Sequence, residues 1–150
     1  MIKFTIPGQP QGKGRARAFI RGGHVAHYTP EKTRSYEGVI TTLAMEAMRG
    51  RAPSDRPMEV ILKLFYPVPA SWPQWKRTAA LQGKIMPTVK PDVDNVEKAV
   101  KDACNGIAWR DDCQVCDVWK TKRYSEVPRV EVIIQNIPLE PAQIKTKPAA

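Results

Sequence analysis

Residues 88–118 decide the fold, and they read TVKPDVDNVEKAVKDACNGIAWRDDCQVCDV. Apolar side chains recur in this stretch at the i, i+3, i+4 and i+7 spacing of one helix face, namely Val96, Ala99, Val100 and Ala103. Asp94 and Glu97 have the spacing of a capping box, and Asn105 with Gly106 favours a helix end. The pattern therefore predicts a helix over residues 95–104.

The opposite face of this predicted helix is charged. At about 100° per residue, four charged side chains fall on or beside that face: Asp94, Lys98, Lys101 and Asp102. Asp92 precedes Asp94 by two residues, where the start of the helix makes the chain turn. We therefore expect one face to be core and the other to meet solvent or a substrate.

Carboxylates from a helix start and a strand start form the usual oxygen-ligand set for Mg²⁺. Asp92 and Asp94 supply the first pair, and Asp111 and Asp112 supply the second, just before a predicted strand. Because Mg²⁺ also binds phosphate oxygens, the set points to phosphodiester hydrolysis, with Lys98 stabilising charge on the phosphate or positioning the attacking water. The structural alternative is that Asp94 caps the helix, Asp92 lies in a turn and Lys98 pairs with Asp94 on a solvated face.

The charge of the chain points to a polyanionic partner. Its 150 residues include 24 Lys and Arg against 15 Asp and Glu, a formal charge of +9, and its length and 42% hydrophobic content suit one soluble domain. Lysine and arginine gain affinity for nucleic acid by releasing counterions from phosphates. We expect Lys13, Arg15 and Arg17 of a glycine-rich loop to contact DNA phosphates, with plain surface charge as the alternative.

The remaining patterns predict an α+β fold, a small mixed sheet flanked by helices. Strands are expected over residues 2–7 and 58–66, and a hairpin over residues 18–28 around Gly22 and Gly23. The 58–66 run is apolar on both faces, as in a central strand. Other expected elements are a helix capped at Thr29 and Pro30 that runs to about Arg49, a short helix within residues 67–83, and strands 114–124 and 129–137 paired through a turn at Pro128.

Residues 1–137 are expected to form the domain, and residues 138–150 a flexible tail. No segment has the length of a membrane span or the apolar stretch of a signal peptide, so we expect a cytoplasmic protein with no membrane partner. Cys113 and Cys116 have the spacing of half a zinc site, but no second such pair exists in the sequence. Incidental packing is the favoured interpretation of these cysteines.

The string KPDVDNVEKAVKDACNG followed by WRDDCQV resembles the RusA family of Holliday junction resolvases, whose pattern is approximately KPDxDNxxKxxxDALNG followed by DDxQV. By this resemblance Asp92, Asp94 and Asp112 are the metal-binding catalytic carboxylates and Lys98 is the catalytic lysine. Asp111 then has a lesser or structural role. We add Lys90 and Lys101 to the expected DNA contacts.

The resemblance implies a homodimeric, Mg²⁺-dependent endodeoxyribonuclease, with Mn²⁺ as a substitute metal and no nucleotide cofactor. Such an enzyme resolves four-way junctions and related branched DNA by paired symmetric nicks, in recombination and repair, and the family is common in phage and prophage genomes. Two other hypotheses stay open: a non-catalytic DNA-binding protein, and a general Mg²⁺ nuclease without junction preference.

Overall fold

The chain folds around a four-stranded mixed sheet with a separate two-stranded hairpin. The computed structural model describes residues 1–14, 17–28 and 31–141. The strands are β1 (Ile2–Pro7), β2 (Arg17–Arg21), β3 (His24–Tyr28), β4 (Met58–Pro67), β5 (Val115–Ser125) and β6 (Arg129–Asn136). The helices are α1 (Glu31–Met48), α2 (Gln74–Leu81) and α3 (Val93–Cys104), with a short 3-10 helix at Asp112–Gln114. The predicted α+β class with a mixed sheet is confirmed.

Strand β4 is central, as predicted, because the sheet has the order β1-β6-β4-β5. It pairs in parallel with β5 and antiparallel with β6, which in turn pairs antiparallel with β1. The predicted hairpin of the last two strands is wrong, since β4 lies between them. The three residues 126–128 link β5 to β6 across the end of β4, a span of about 10 Å for two strand spacings.

Only one face of β4 is fully buried, although apolar residues occur on both faces of the strand. Alternate residues are in the core, namely Met58, Val60, Leu62, Leu64 and Tyr66. The residues between them are half-buried or, at Lys63, exposed. The buried residues of β1 and β6 follow the same alternation, so the helices cover one face of the sheet and leave the other face open.

Helix α3 packs its predicted apolar face against α1, and Val96, Ala99, Val100, Ala103 and Cys104 are all buried there. The helix begins two residues earlier than predicted, at Val93, and Asp92 is its N-cap. Asp94 therefore lies inside the first turn, and the expected capping box of Asp94 with Glu97 is wrong. The predicted end at Asn105 and Gly106 is confirmed, with Gly106 at a φ of 79°.

The predicted hairpin is confirmed as β2 and β3, which pair antiparallel around Gly22 and Gly23. Both glycines have positive φ, as a tight two-residue hairpin turn requires. The predicted cap of α1 at Thr29 and Pro30 lies outside the described residues, as do residues 142–150 of the predicted tail. Within the described ranges, no helix combines the length and the apolar character needed to cross a bilayer.

One-sided burial of β4 can be tested with two neighbouring substitutions. Leu62→Ala is expected to lower the free energy of unfolding by about 2–5 kcal/mol, because it removes a fully buried side chain and leaves a cavity. Lys63→Ala, at the next and exposed position, should change it by no more than about 0.5 kcal/mol. Urea unfolding followed by circular dichroism measures both values, and equal losses would contradict the one-sided core.

Candidate active site

The polar face of α3 forms a wall of an open cavity of about 320 Å³, called here the α3 cavity. Its lining side chains are Asp94, Glu97, Lys98, Lys101, Asp102 and Asp112. Five of the six come from α3, because burial of the apolar face turns these positions outward. The predicted charged face of the helix is therefore confirmed, and Asp112 joins it from the 3-10 helix before β5.

Asp112 is held at the cavity by a tryptophan. The indole Nε1 of Trp109 donates a hydrogen bond to Asp112 Oδ1 at 2.8 Å, and Trp109 is fully buried. A buried ring cannot easily reorient, so this bond fixes one oxygen of the carboxylate. Burial raises the pKa of the nearby Cys104 thiol to about 12, with a smaller contribution from the negative charge of Asp112.

Asp111 has a different environment from Asp112. It is the N-cap of the 3-10 helix, and its side chain accepts a hydrogen bond from the Cys113 amide at 3.1 Å. Gln114 completes a capping box by accepting from the Asp111 amide at 2.9 Å. The Gln114 amide group also donates to the Ser54 and Arg56 carbonyls, which ties this turn to the segment before β4. Asp111 therefore serves the local turn, and Asp112 lines the cavity.

Asp92 lies at the start of α3, exposed, and is not among the residues that line the α3 cavity. It makes no side-chain capping hydrogen bond. The backbone before it is anchored from the sheet: the Tyr66 hydroxyl donates to the Pro91 carbonyl at 2.6 Å, and the Lys122 ammonium donates to the Val89 carbonyl at 2.6 Å. Burial, with smaller contributions from Tyr36 and Asp92, raises the pKa of Tyr66 to about 12.

Lys120 is a site residue that the sequence did not reveal. Its ammonium pairs with Asp94 and lies 2.5 Å from Glu97 Oε2. The hydrogen bond to Asp94, and then that to Glu97, raises the pKa of Lys120. The sequence did contain one signal for its position. Side chains alternate between the two faces of a strand, so Lys120 of β5 lies on the same side as Val118 and Tyr124, toward the helices.

Lys13, predicted to contact DNA, is part of an internal ion pair. Its ammonium pairs with Asp102 and lies 3.6 Å from Glu37 Oε1, and the bond to Asp102 is the main cause that raises the pKa of Lys13. The glycine-rich loop is pinned at this point, because the Lys13 amide donates to the Asn95 carbonyl at 3.1 Å. A Cβ on Gly12 would approach the Asn95 Cβ to 2.9 Å, so only glycine fits this close contact.

The other predicted DNA contacts are spread over several elements. Lys90 is exposed just before Asp92, and its peptide bond to Pro91 is cis. Lys101 lines the α3 cavity, with its ammonium 3.8 Å from Glu97 Oε1. Arg17 begins β2, and Arg15 lies outside the described residues. Of the predicted DNA contacts that the structure describes, only Lys101 is among the residues that line the α3 cavity, where it lies with Lys98 and three aspartates, Asp94, Asp102 and Asp112.

The carboxylates of the α3 cavity already have partners. Two of them share Lys120, Asp102 pairs with Lys13, and Asp112 accepts from Trp109. Within residues 1–14, 17–28 and 31–141, no three His, Cys, Asp or Glu side chains are grouped closely enough to hold a metal ion. The donor chemistry nevertheless suits a hard divalent cation, because every acidic side chain that lines the cavity offers carboxylate oxygen.

Cys113 and Cys116 are exposed free thiols. The negative charge of Asp111 raises the pKa of the Cys113 thiol, which favours the protonated form rather than the thiolate that binds zinc. The alternative of a zinc site at this pair therefore gains no support from its surroundings.

Comparison with known proteins gives the family. The family model described as Endodeoxyribonuclease RusA matches residues 7–135, which run from the end of β1 through the α3 cavity to most of β6. A protein of Bacillus subtilis strain 168, called Uncharacterized protein YqaN, is 39% identical over 138 residues, which make up 91% of this chain and 96% of that protein. The resemblance found in the sequence motifs is confirmed, and the chain belongs to the RusA family of endodeoxyribonucleases.

Proposed function

We propose that this protein is a Mg²⁺-dependent endonuclease that resolves Holliday junctions and related branched DNA by paired nicks. The observation that carries the proposal is the α3 cavity of a RusA-family chain, where Asp94 and Asp112, from separate segments, meet Lys98 and Lys101. Two carboxylates beside two ammonium groups suit a site that holds a cation and a phosphate together.

Asp92, Asp94 and Asp112 are the proposed metal ligands. Asp94 and Asp112 share the cavity, and Asp92 lies two residues before Asp94 at the helix N-terminus, with its carboxylate free of any capping bond. When bound, Mg²⁺, or Mn²⁺ in its place, supplies positive charge for the phosphate oxygens and lowers the pKa of a bound water. Trp109 orients Asp112 for this role, while Tyr66 and Lys122 hold the backbone that leads to Asp92.

Lys98 is the proposed catalytic lysine. It lines the cavity one helical turn after Asp94, and its side chain is exposed. An ammonium at this place stabilises the negative charge that grows on the phosphate during hydrolysis. Lys90, Lys101, Arg15 and Arg17 remain the proposed DNA contacts, joined by Lys13 if its ion pair with Asp102 opens on binding.

Homodimerisation is part of the proposal. A four-way junction presents two equivalent strands related by a two-fold axis, and a dimer with two-fold symmetry places one site on each of them. A net charge of +9 on each chain favours binding to such a polyanion.

A non-catalytic DNA-binding protein is the second candidate, and one observation favours it. Three carboxylates of the cavity, Asp94, Glu97 and Asp102, are paired with Lys120 and Lys13, as in an ion-pair network that stabilises the fold. This candidate keeps the basic surface and assigns no reaction to the cavity.

A cleavage assay separates the two candidates. The protein is incubated with a labelled four-way junction and with a linear duplex of the same arm sequence, each with Mg²⁺ and with EDTA. We expect cleavage of the junction alone and in Mg²⁺ alone. Retarded migration without cleavage would support the binding protein, and equal cleavage of the duplex would support a general nuclease.

Substitution of the proposed ligands should separate cleavage from binding. Asp92→Asn, Asp94→Asn and Asp112→Asn are each expected to abolish cleavage while junction affinity stays equal or rises, because each removes a negative charge that repels phosphate. Gel retardation and cleavage of the same junction measure both quantities. Asp111→Asn is the matched control, since Asp111 caps the neighbouring turn, and it should keep its activity. A ligand variant that cuts at the wild-type rate would remove that residue from the site.

The two lysines of the cavity should behave differently. Lys98→Ala is expected to slow single-turnover cleavage by about a hundredfold with little change in junction affinity, because its charge acts mainly in the transition state. Lys101→Ala should weaken binding modestly, lower its salt dependence and leave the saturated rate nearly unchanged. If both variants lost only affinity, Lys98 would be a DNA contact and not a catalytic residue.

A further inference from the structure

The Lys120 ammonium lies where β5 faces the first turn of α3. It contacts two carboxylates that stand one turn apart, Asp94 and Glu97. Lys120 lies outside the motif that identifies the family, and Glu97 stands at a position that the family pattern leaves unspecified. Their contact with Asp94 therefore adds a feature of this chain to the proposed metal site.

The two carboxylates that share Lys120 differ in exposure. The Asp94 side chain is 82% exposed, whereas that of Glu97 is 16% exposed. Glu97 holds Lys120 through Oε2 at 2.5 Å, and its other oxygen lies 3.8 Å from the Lys101 ammonium. Charge interactions weaken as solvent screening increases, so the Coulomb attraction of the ammonium to Glu97 is screened less than its attraction to Asp94.

We propose that Lys120 is the resident counter-cation of Asp94 in the metal-free protein, and that a divalent cation binding at Asp94 displaces the ammonium, which Glu97 retains. This inference rests on the proposed function, because it takes Asp94 as a metal ligand. It assigns Lys120 as a positioning residue that competes with the metal, with no direct part in the reaction.

The exchange follows from charge. An ammonium and a divalent cation that share one carboxylate repel each other, and the repulsion grows as the product of their charges. A lysine chain can turn about its four methylenes, so the ammonium can leave Asp94 and keep its bond to Glu97. Before the metal binds, Lys120 balances a carboxylate that would otherwise lie uncompensated beside Glu97. The cost of the exchange is a lower metal affinity, since the binding free energy includes loss of the Lys120 to Asp94 pair.

Removal of the ammonium should therefore strengthen metal binding. Lys120→Met keeps most of the length of the side chain and removes its charge, and we expect it to bind Mn²⁺ about tenfold more tightly than wild type. Free Mn²⁺ is counted by electron paramagnetic resonance with the full-length protein and no DNA present. Lys63→Met is the matched control: Lys63 is exposed and pairs with Thr121, so it lies on the opposite face of the sheet from Lys120, and its loss should leave the affinity unchanged.

A stability measurement gives a second and independent readout. Without metal, Lys120→Met should unfold at a lower temperature than wild type, because Asp94 and Glu97 lose their shared counter-charge. Added Mg²⁺ should then raise its unfolding temperature by more than it raises that of the wild type. If Lys120 had a purely structural role, Lys120→Met would still unfold at a lower temperature without metal. Added Mg²⁺ would then raise its unfolding temperature by no more than it raises that of the wild type. Lys120→Gln repeats both measurements with a polar side chain, in case the methionine variant does not fold.

Each outcome decides the inference. Equal Mn²⁺ affinity in Lys120→Met and Lys63→Met would overturn it, and weaker binding by Lys120→Met would show instead that Lys120 holds Asp94 in place for the metal. If the wild type binds Mn²⁺ and cleaves junctions but Lys120→Met binds Mn²⁺ no more tightly, this inference is overturned and the proposed function stands. A wild type that binds no Mn²⁺ or Mg²⁺ would overturn the proposed metal centre as well.

Discussion

Burial of the apolar face of α3 is the constraint on which the rest of the molecule depends. Val96, Ala99 and Val100 pack into the core shared by α1 and the central strand, where exposure of any of them would cost hydrophobic free energy. The rotation of α3 about its axis is fixed by this packing. Its polar residues therefore have one available orientation, toward the space beside β5, and the α3 cavity is the consequence of a core requirement.

The charged groups in and around the cavity come from four parts of the chain. Helix α3 supplies carboxylates and lysines, β5 supplies Lys120, the glycine-rich loop supplies Lys13, and the 3-10 helix supplies Asp112. Carboxylates gathered on one helix face repel one another unless cations lie near them. In this protein lysines provide those cations. The stability of the cavity is therefore linked to its proposed chemistry, because the proposed metal would enter a site where ammonium groups already offset the negative charge.

Neighbouring residues in the same motif acquire different roles from their surroundings. Asp111 and Asp112 are chemically identical, yet one caps a turn through Cys113 and Gln114, and the other receives the indole hydrogen bond of a buried tryptophan and lines the cavity. Asp92 and Asp94 divide in the same way, because α3 begins at Val93 and leaves Asp92 at the cap while Asp94 enters the first turn. The position of the helix start thus separates the two aspartates: Asp94 lies in the cavity wall, and Asp92 lies outside it.

The sequence by itself determined the elements whose signals are local: the amphipathic period of α3, the hairpin at Gly22 and Gly23, the strand of residues 2–7 and the motif that gives the family. It also placed Asp94, Lys98 and Lys101 on one face, because residues three or four apart on a helix share a side. Only the tertiary structure decided that β4 separates β5 from β6, that Lys120 meets Asp94 and Glu97, and that Lys13 pairs with Asp102. These contacts join residues far apart in the chain, and they depend on strand order and on packing of the whole core. Local alternation on β5 gives the side of the sheet on which Lys120 lies, but it does not give the partners of Lys120.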